Sequence, residues 1–533
     1  MHFGLYYYAK TALKPSYYFM FDSLSPALVL IILLAYFLML MGVAWYTGRN
    51  NNNEGFFLAN RNVPWYVVAY AMIGTSISGV TFISLPGSVG LEAGVNRGFG
   101  YMQVVLGYLV GYFFIATVLM PLYYRLQLTS IYGYLEQRFG IRSYKTGAAF
   151  FILSRTLGSA ARMFLAAVVL QQLVFGPLGV PFELTVILML ALVYAYTFQG
   201  GLKTIIWTDT IMTTFFIVAV VWTVYAVSKS LNFHGPGDMM GAVWNSRYSQ
   251  MFFFDNFAND PNHFIKQFIS GALVATAMTG LDQDLMQKNL ACKNIREAQK
   301  NMFVFSGYLI VINLAFMFLG ALLYLYANSI GLEIPTRSDQ LYPKIAFNHL
   351  DAVAGIFFIL GLIASTYASS DSALTALTTS VCVDFLNFEK KAVLPDPYAS
   401  AEEQQRFYTE LERQQRRQRT WVHLGFSIAF VLIIRILYAF SDGAVLGLIF
   451  KIAGYTYGPL LGLYIFGLFT RFKLYDERVP YICLAAPLAT WGIETALKPW
   501  ADVGFLTILL NGSLTFLGLW VISYKEAPPT TEY

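Results

Sequence analysis

Thirteen apolar runs, each long enough to cross about 30 Å of hydrocarbon, recur along this chain. They lie near 26–46, 64–87, 98–122, 146–174, 181–199, 204–228, 264–286, 302–327, 352–385, 421–439, 443–469, 479–496 and 504–523. Inside lipid no water is available to bond the backbone, so such segments must satisfy their own amides, and runs of this length do so as helices. The expected fold is therefore an all-α polytopic membrane protein of about thirteen transmembrane helices. With 57% hydrophobic and 12% charged residues, a soluble enzyme is excluded. The first 25 residues lack a basic segment and a small-residue cleavage site, so the run at 26–46 reads as a retained helix.

Lysine and arginine set the expected orientation. One set of loops holds eight: Lys10, Lys14, Arg97, Lys229, Arg247, Arg337, Lys344 and Lys498. The opposite set holds 22, concentrated in the 390–419 loop, where a short amphipathic helix is expected at 400–419. This asymmetry places the N-terminus outside and the C-terminus in the cytoplasm of a plasma (inner) membrane. Cytoplasmic loops account for the net charge of +5, which needs no nucleic-acid partner. Five basic residues remain inside the spans: Arg155, Arg162, Lys266, Arg435 and Lys451. The three cysteines show no metal-ligand spacing, and the five histidines are scattered, so neither a disulfide framework nor a catalytic cluster is expected.

Two runs are poor helices in their middles. GTSISG at 74–79 sets two glycines around three hydroxyls, and TAMTG at 276–280 is a second weak point. An unwound turn at the first would free the carbonyls of Gly74 and Ile77, tolerated in a membrane only where they line a site. Runs two to six and seven to eleven form two sets of five, each opening with an interrupted helix. That is the pattern of an inverted-repeat transporter with its site at mid-membrane. The segments so defined are a tail at 1–25, an extra helix at 26–46, repeats at 64–228 and 264–469, two helices at 479–523 and a tail at 524–533.

The ninth run carries too many oxygens for an anchor. In GLIASTYASSDSALTALTTSVCVDF (361–385), Thr366, Ser369 and Ser370 fall at i, i+3 and i+4 and share one helix face, followed by Asp371 and Ser372. A row of oxygens can replace the water shell of a hard cation. Asp209, mid-span in the sixth run, is a costly carboxylate that must either pair with a basic group or handle ions. Arg155 and Arg162 are seven apart on one face, and guanidinium groups suit carboxylates.

FFLANRNVPW near 57–65, SISGVTFISLPG (76–87), IYGYLEQRFG (131–140), GGLKTIIWTDT (200–210), QKNLACKN (287–294), ASSDSALTALTTSVCVDF (368–385) and YGPLLGL (457–463) resemble the solute:sodium symporter family, in family order over roughly 55–470. The resemblance implies a LeuT-like fold of five plus five inverted helices, with one extra helix before the core and two after it. It also implies a main sodium site of the Gly74 and Ile77 carbonyls with Thr366, Ser369 and Ser370. Thr366 stands where relatives usually have a small residue. A second sodium site would use Asp209 with Ser369 and Ser372, although Ala373 replaces one possible ligand. Solute contacts implied are Ser76, Ser78, Thr81, Phe99 and Gln103, joined by Arg155, Arg162 and Lys451. Lys451 falls where sugar transporters carry a glutamine, and Asp284 near their aromatic gate.

The function expected is sodium-coupled uptake of a small organic anion, such as a sialic-acid-like sugar acid, by alternating access. A neutral sugar or polyol is the alternative, and proton coupling or a non-transporting sensor a further one. Na+ is the expected coupling ion, with no organic cofactor. The expected partners are the solute and the lipid bilayer, and the sequence sets no oligomeric state, a monomer included. Asp371 is expected to tune cation affinity or to pair with an intramembrane arginine.

Overall fold

The computed structural model describes residues 25–48, 53–92, 95–197, 201–388, 400–440 and 445–525. Most of the two expected tails, and residues 389–399 of the basic loop, lie outside the described residues.

Each of the thirteen apolar runs is helical. Helix α1 (Pro26–Thr47) is capped by Ser25, whose hydroxyl accepts from Leu28 N at 3.2 Å. Two helices, α2 (Trp65–Ser76) and α3 (Gly79–Gly87), make one span bent by 62°. Then come α4 (Tyr101–Phe114, prolonged to Arg125), α5 (Ile141–Leu170), α6 (Phe182–Thr197) and α7 (Gly201–Ser230). The second half opens the same way, with α8 (Phe264–Ala275) and α9 (Gln283–Leu290) bent by 63°. It continues through α10 (Ile295–Ser329), α11 (Ala352–Ser380), α12 (Ala401–Phe440) and α13 (Val445–Phe469), followed by α14 (Val479–Leu497) and α15 (Thr507–Val521).

Among the described residues nine helices are long and apolar enough to cross a membrane, or eleven when each bent pair counts once. The shorter α6 and the less apolar α14 complete the thirteen. Two local expectations change. The segment at 400–419 is not a separate helix but the first half of the 40-residue α12. It has no proline, and Glu, Gln and Arg sustain a helix straight into the apolar run. At TAMTG the chain forms a π-helical turn (Thr276–Gly280), and the bend follows it, at Leu281–Asp282.

The helix with the most oxygens sits at the centre. Every residue of α11 from Phe358 to Ser380 is buried, and α7 packs along it more extensively than any other pair of helices. Its hydroxyls therefore face protein, not lipid. By contrast α1 turns Ile31, Leu34, Leu38 and Trp45 outward, as a helix added outside the repeat core should.

Candidate functional site: the first broken helix and its surroundings

At the α2–α3 junction Ile77 (φ −92°, ψ 96°) and Ser78 (φ −82°, ψ 170°) are extended. Ile77 N still donates to Ile73 O at 2.9 Å and Phe82 N to Ser78 O at 3.0 Å. Among the described residues no hydrogen bond reaches the carbonyls of Gly74 or Ile77. The glycines on either side are there for close approach. A Cβ at Gly74 would stand 2.5 Å from Thr213 Oγ1 and 3.3 Å from Ala368 Cβ, and one at Gly79 would overlap the Thr366 hydroxyl.

The break is thus pressed against the serine-rich stretch of α11. Ser369 and Ser370 donate their hydroxyl protons to Thr366 O at 2.9 and 2.8 Å, which leaves their oxygen lone pairs as acceptors. Thr366 Oγ1 is buried with no partner among the described residues. Two carbonyls without hydrogen bonds among the described residues thus lie on a segment packed against a helix rich in hydroxyl oxygens, an all-oxygen donor set suited to a hard monovalent cation.

Beside the break lies a cavity of about 100 Å³, lined in part by Ser76, Thr81, Tyr101, Tyr108, Arg162 and Asn313. Ser76 Oγ is buried without a partner among the described residues. Arg162 reaches this cavity with no carboxylate within 4.0 Å among the described residues. Arg155 also touches it, but that guanidinium is bound to Asp284 and lies 3.7 Å from Asp282. The seven-residue spacing therefore put both arginines at the cavity while pairing only one.

Several expected contacts fall elsewhere. Ser78 is buried but does not line the cavity. Gln103 is consumed in structure: it donates to Gly100 O at 3.1 Å and Asn262 O at 2.9 Å and accepts from Phe253 N at 3.1 Å. Phe99 is buried just before the start of α4, where its N donates to Gln250 O at 2.7 Å. Lys451 is exposed on α13, because its face of the helix turns away from the core. Lys266 donates to the carbonyls of Ala258 (3.0 Å) and Asp502 (2.5 Å), and Arg435 pairs with Glu183 at 2.9 Å.

Two of the residues expected to form a second sodium site, Asp209 and Ser372, are engaged by other partners. Asp209 Oδ2 is 2.5 Å from Lys288 Nζ and accepts from Thr75 Oγ1 at 3.0 Å. Ser372 instead donates to the Asp284 carboxylate. Asp371 forms no ion pair among the described residues and accepts from Tyr196 OH at 2.9 Å.

Lys288, fully buried, is the functional-site residue that sequence reasoning missed. It sits in QKNLACKN just past the seventh run, where a lysine reads as a loop charge. All eight residues of α9 are buried, so the span continues through them. The available signal was Asp209 itself, a mid-span acid that required a cation.

Comparison with known proteins agrees with this geometry. The family model for the sodium:solute symporter family matches residues 56–473. A sodium/sialic acid symporter of Aliivibrio fischeri is 22% identical over 517 residues, covering 93% of this chain and 92% of that protein. A sodium/glucose cotransporter of Vibrio parahaemolyticus is 25% identical over 390 residues, 68% of each chain. Among solved structures, a sodium-coupled sialic acid symporter in a substrate-bound outward-open state superposes with a TM-score of 0.75 at 17% identity, over 93% of this chain and 99% of that one. Bent helices in both repeats, a serine-rich helix against the first bend and a family match over most of the length converge: this chain belongs to the sodium:solute symporter family.

Proposed function

We propose that this protein is a sodium-coupled symporter that takes up a small organic anion, of the sialic-acid-like sugar-acid class, by alternating access. Its N-terminus lies outside and its C-terminus in the cytoplasm. The observation that carries the anion reading is Arg162, a cation at the cavity wall with no carboxylate partner beside it. Ser76, Thr81 and Asn313 supply hydrogen bonds for hydroxyl groups around it. A relative in the sialic acid class, similar over nearly its whole length, supports the same solute.

Sodium held by the Gly74 and Ile77 carbonyls with Thr366, Ser369 and Ser370 would tie α2–α3 to α11. The same ion fixes the turn that carries Ser76 to the cavity wall, so solute and sodium raise each other's affinity by one common factor. One sodium is favoured, because the Asp209 carboxylate is already matched by the Lys288 ammonium. An ion entering down 100 mV contributes about 2.3 kcal/mol, roughly 50-fold accumulation of a neutral solute. For a monovalent anion that electrical term cancels, and the sodium concentration gradient alone drives uptake. A cavity of about 100 Å³ is well below the roughly 300–1,000 Å³ of ligand pockets, so the surrounding helices must part to load a sugar acid.

The second reading, a neutral sugar, is favoured by the hydroxyl-rich wall and by the glucose cotransporter relative. Uptake into proteoliposomes of sialic acid, glucose, inositol and proline, with and without a sodium gradient, separates the two. Sodium-driven sialic acid uptake without current is expected. Uptake of glucose but not sialic acid would replace the anion reading, and uptake driven by pH and indifferent to sodium would end the coupling claim.

A further inference from the structure

A second cavity, of about 210 Å³, lies outward of the first, and Tyr101 is a wall of both. Its polar lining includes Ser84 on α3, Arg97, Ser338, and Asn262 with Gln267 at the start of α8. Leu446 and Phe505 supply an apolar side, the latter stacked on Phe450 with centroids 4.2 Å apart.

Three side-chain atoms of these residues are buried with no partner among the described residues: Ser84 Oγ, Asn262 Nδ2 and Gln267 Oε1, in residues 2%, 5% and 6% exposed. Their surroundings are fixed. Gln267 Nε2 donates to Pro261 O at 2.8 Å, which commits the amide and leaves Oε1 as the acceptor. Asn262 N donates to Asp260 Oδ1 at 2.8 Å and Asn262 O accepts from Gln103 Nε2 at 2.9 Å. Arg97 stands at the same wall, 3.9 Å from Asp260. Buried polar atoms are nearly always satisfied in folded proteins, and all three of these belong to residues that line one cavity. Two hydrogen-bond donors, one acceptor, a guanidinium and an apolar face match a hydroxylated ring bearing a carboxylate.

We infer that the outer cavity is a second solute site, a staging position that binds the same class of sugar acid before it passes Tyr101 to the inner cavity. This inference rests on the anion reading proposed above. It also gives Gln103 a purpose outside the inner site, since Gln103 holds Asn262 in place.

Counting bound solute tests it. With the full chain in lipid nanodiscs at saturating sodium, equilibrium binding of radiolabelled sialic acid should give two molecules per chain. Ser84→Ala removes an oxygen that has no protein partner, so folding is unaffected and the outer-site Kd should rise at least fivefold. Ser84→Ala with Gln267→Glu, which sets a carboxylate against the acid, should leave one molecule per chain, bound within twofold of the wild-type inner-site Kd. One molecule per chain in the wild type overturns the staging site and leaves the anion reading intact. Two molecules per chain that persist unchanged in both variants place the second elsewhere and also overturn it. No sialic acid bound at all removes the anion reading and this inference with it.

Discussion

The two broken helices bend by almost the same angle, 62° and 63°, yet their freed groups meet opposite fates. At the second break the groups at the bend itself find protein partners. Tyr123 OH donates to Gly280 O at 2.9 Å, Tyr132 OH to Leu281 O at 3.1 Å, and Asp282 Oδ1 caps Asp284 N at 2.9 Å. Arg155, Tyr457 and Ser372 then occupy the Asp282 and Asp284 carboxylates. At the first break the Gly74 and Ile77 carbonyls, Ser76 Oγ and Thr366 Oγ1 all lack protein partners among the described residues. Symmetry of backbone therefore hides a division of labour. On the function proposed above, one break is a structural joint and the other binds ligands.

That division is easiest to break at Arg155. Arg155→Leu leaves two buried carboxylates without their cation and should destabilise the protein by about 3–5 kcal/mol, measured as a lowered melting temperature in detergent. Adding Asp282→Asn and Asp284→Asn should restore most of the loss. A stable Arg155→Leu with only a raised solute KM would make the second break a binding site after all.

The open break should respond in the opposite way. Ser369→Ala with Ser370→Ala should raise the sodium concentration for half-maximal uptake at least tenfold, about 1.4 kcal/mol or more. Melting without sodium should hardly change, while the stabilisation conferred by added sodium should disappear. Unaltered sodium dependence in that double variant would sink the site assignment.

How much of this contrast the sequence carried depends on how local each cause is. The spans were readable because lipid leaves the backbone one solution, and thirteen runs became thirteen helical units. The first break was readable too, since Gly74, Gly79 and the hydroxyls between them are a local weakness. At TAMTG the local signal marks a π-helical turn. The bend itself needs Tyr132, Tyr457 and Arg155, which are distant in sequence. The Asp209–Lys288 pair was hidden for the same reason: 79 residues separate the partners, and only packing brings α9 against α7. Family position placed Lys451 in the pocket, yet position along a helix does not fix which face meets the core.

Arg162 sharpens the comparison at moderate size. Arg162→Gln should raise KM for an acidic solute about tenfold, the scale of one charge-assisted hydrogen bond, and spare stability because no carboxylate is left unpaired. By reciprocity the apparent sodium affinity at fixed solute should fall with it. A neutral solute whose KM rises equally would strip the guanidinium of its anion-selecting role.

The smallest expected effect is the most discriminating. Tyr132→Phe removes only the hydroxyl that donates to Leu281 O, so one freed carbonyl of the second break loses its partner, at about 1 kcal/mol of stability. If that break is a closed joint, the cost appears as a slightly lower melting temperature, with sodium and solute half-saturation unchanged. If the freed carbonyl can instead serve a ligand, stability in sodium-free buffer falls and added sodium restores it beyond the wild-type increment. Sodium titration of the melting temperature for wild type and Tyr132→Phe distinguishes these outcomes, because a joint shifts both curves in parallel and a site changes their slope.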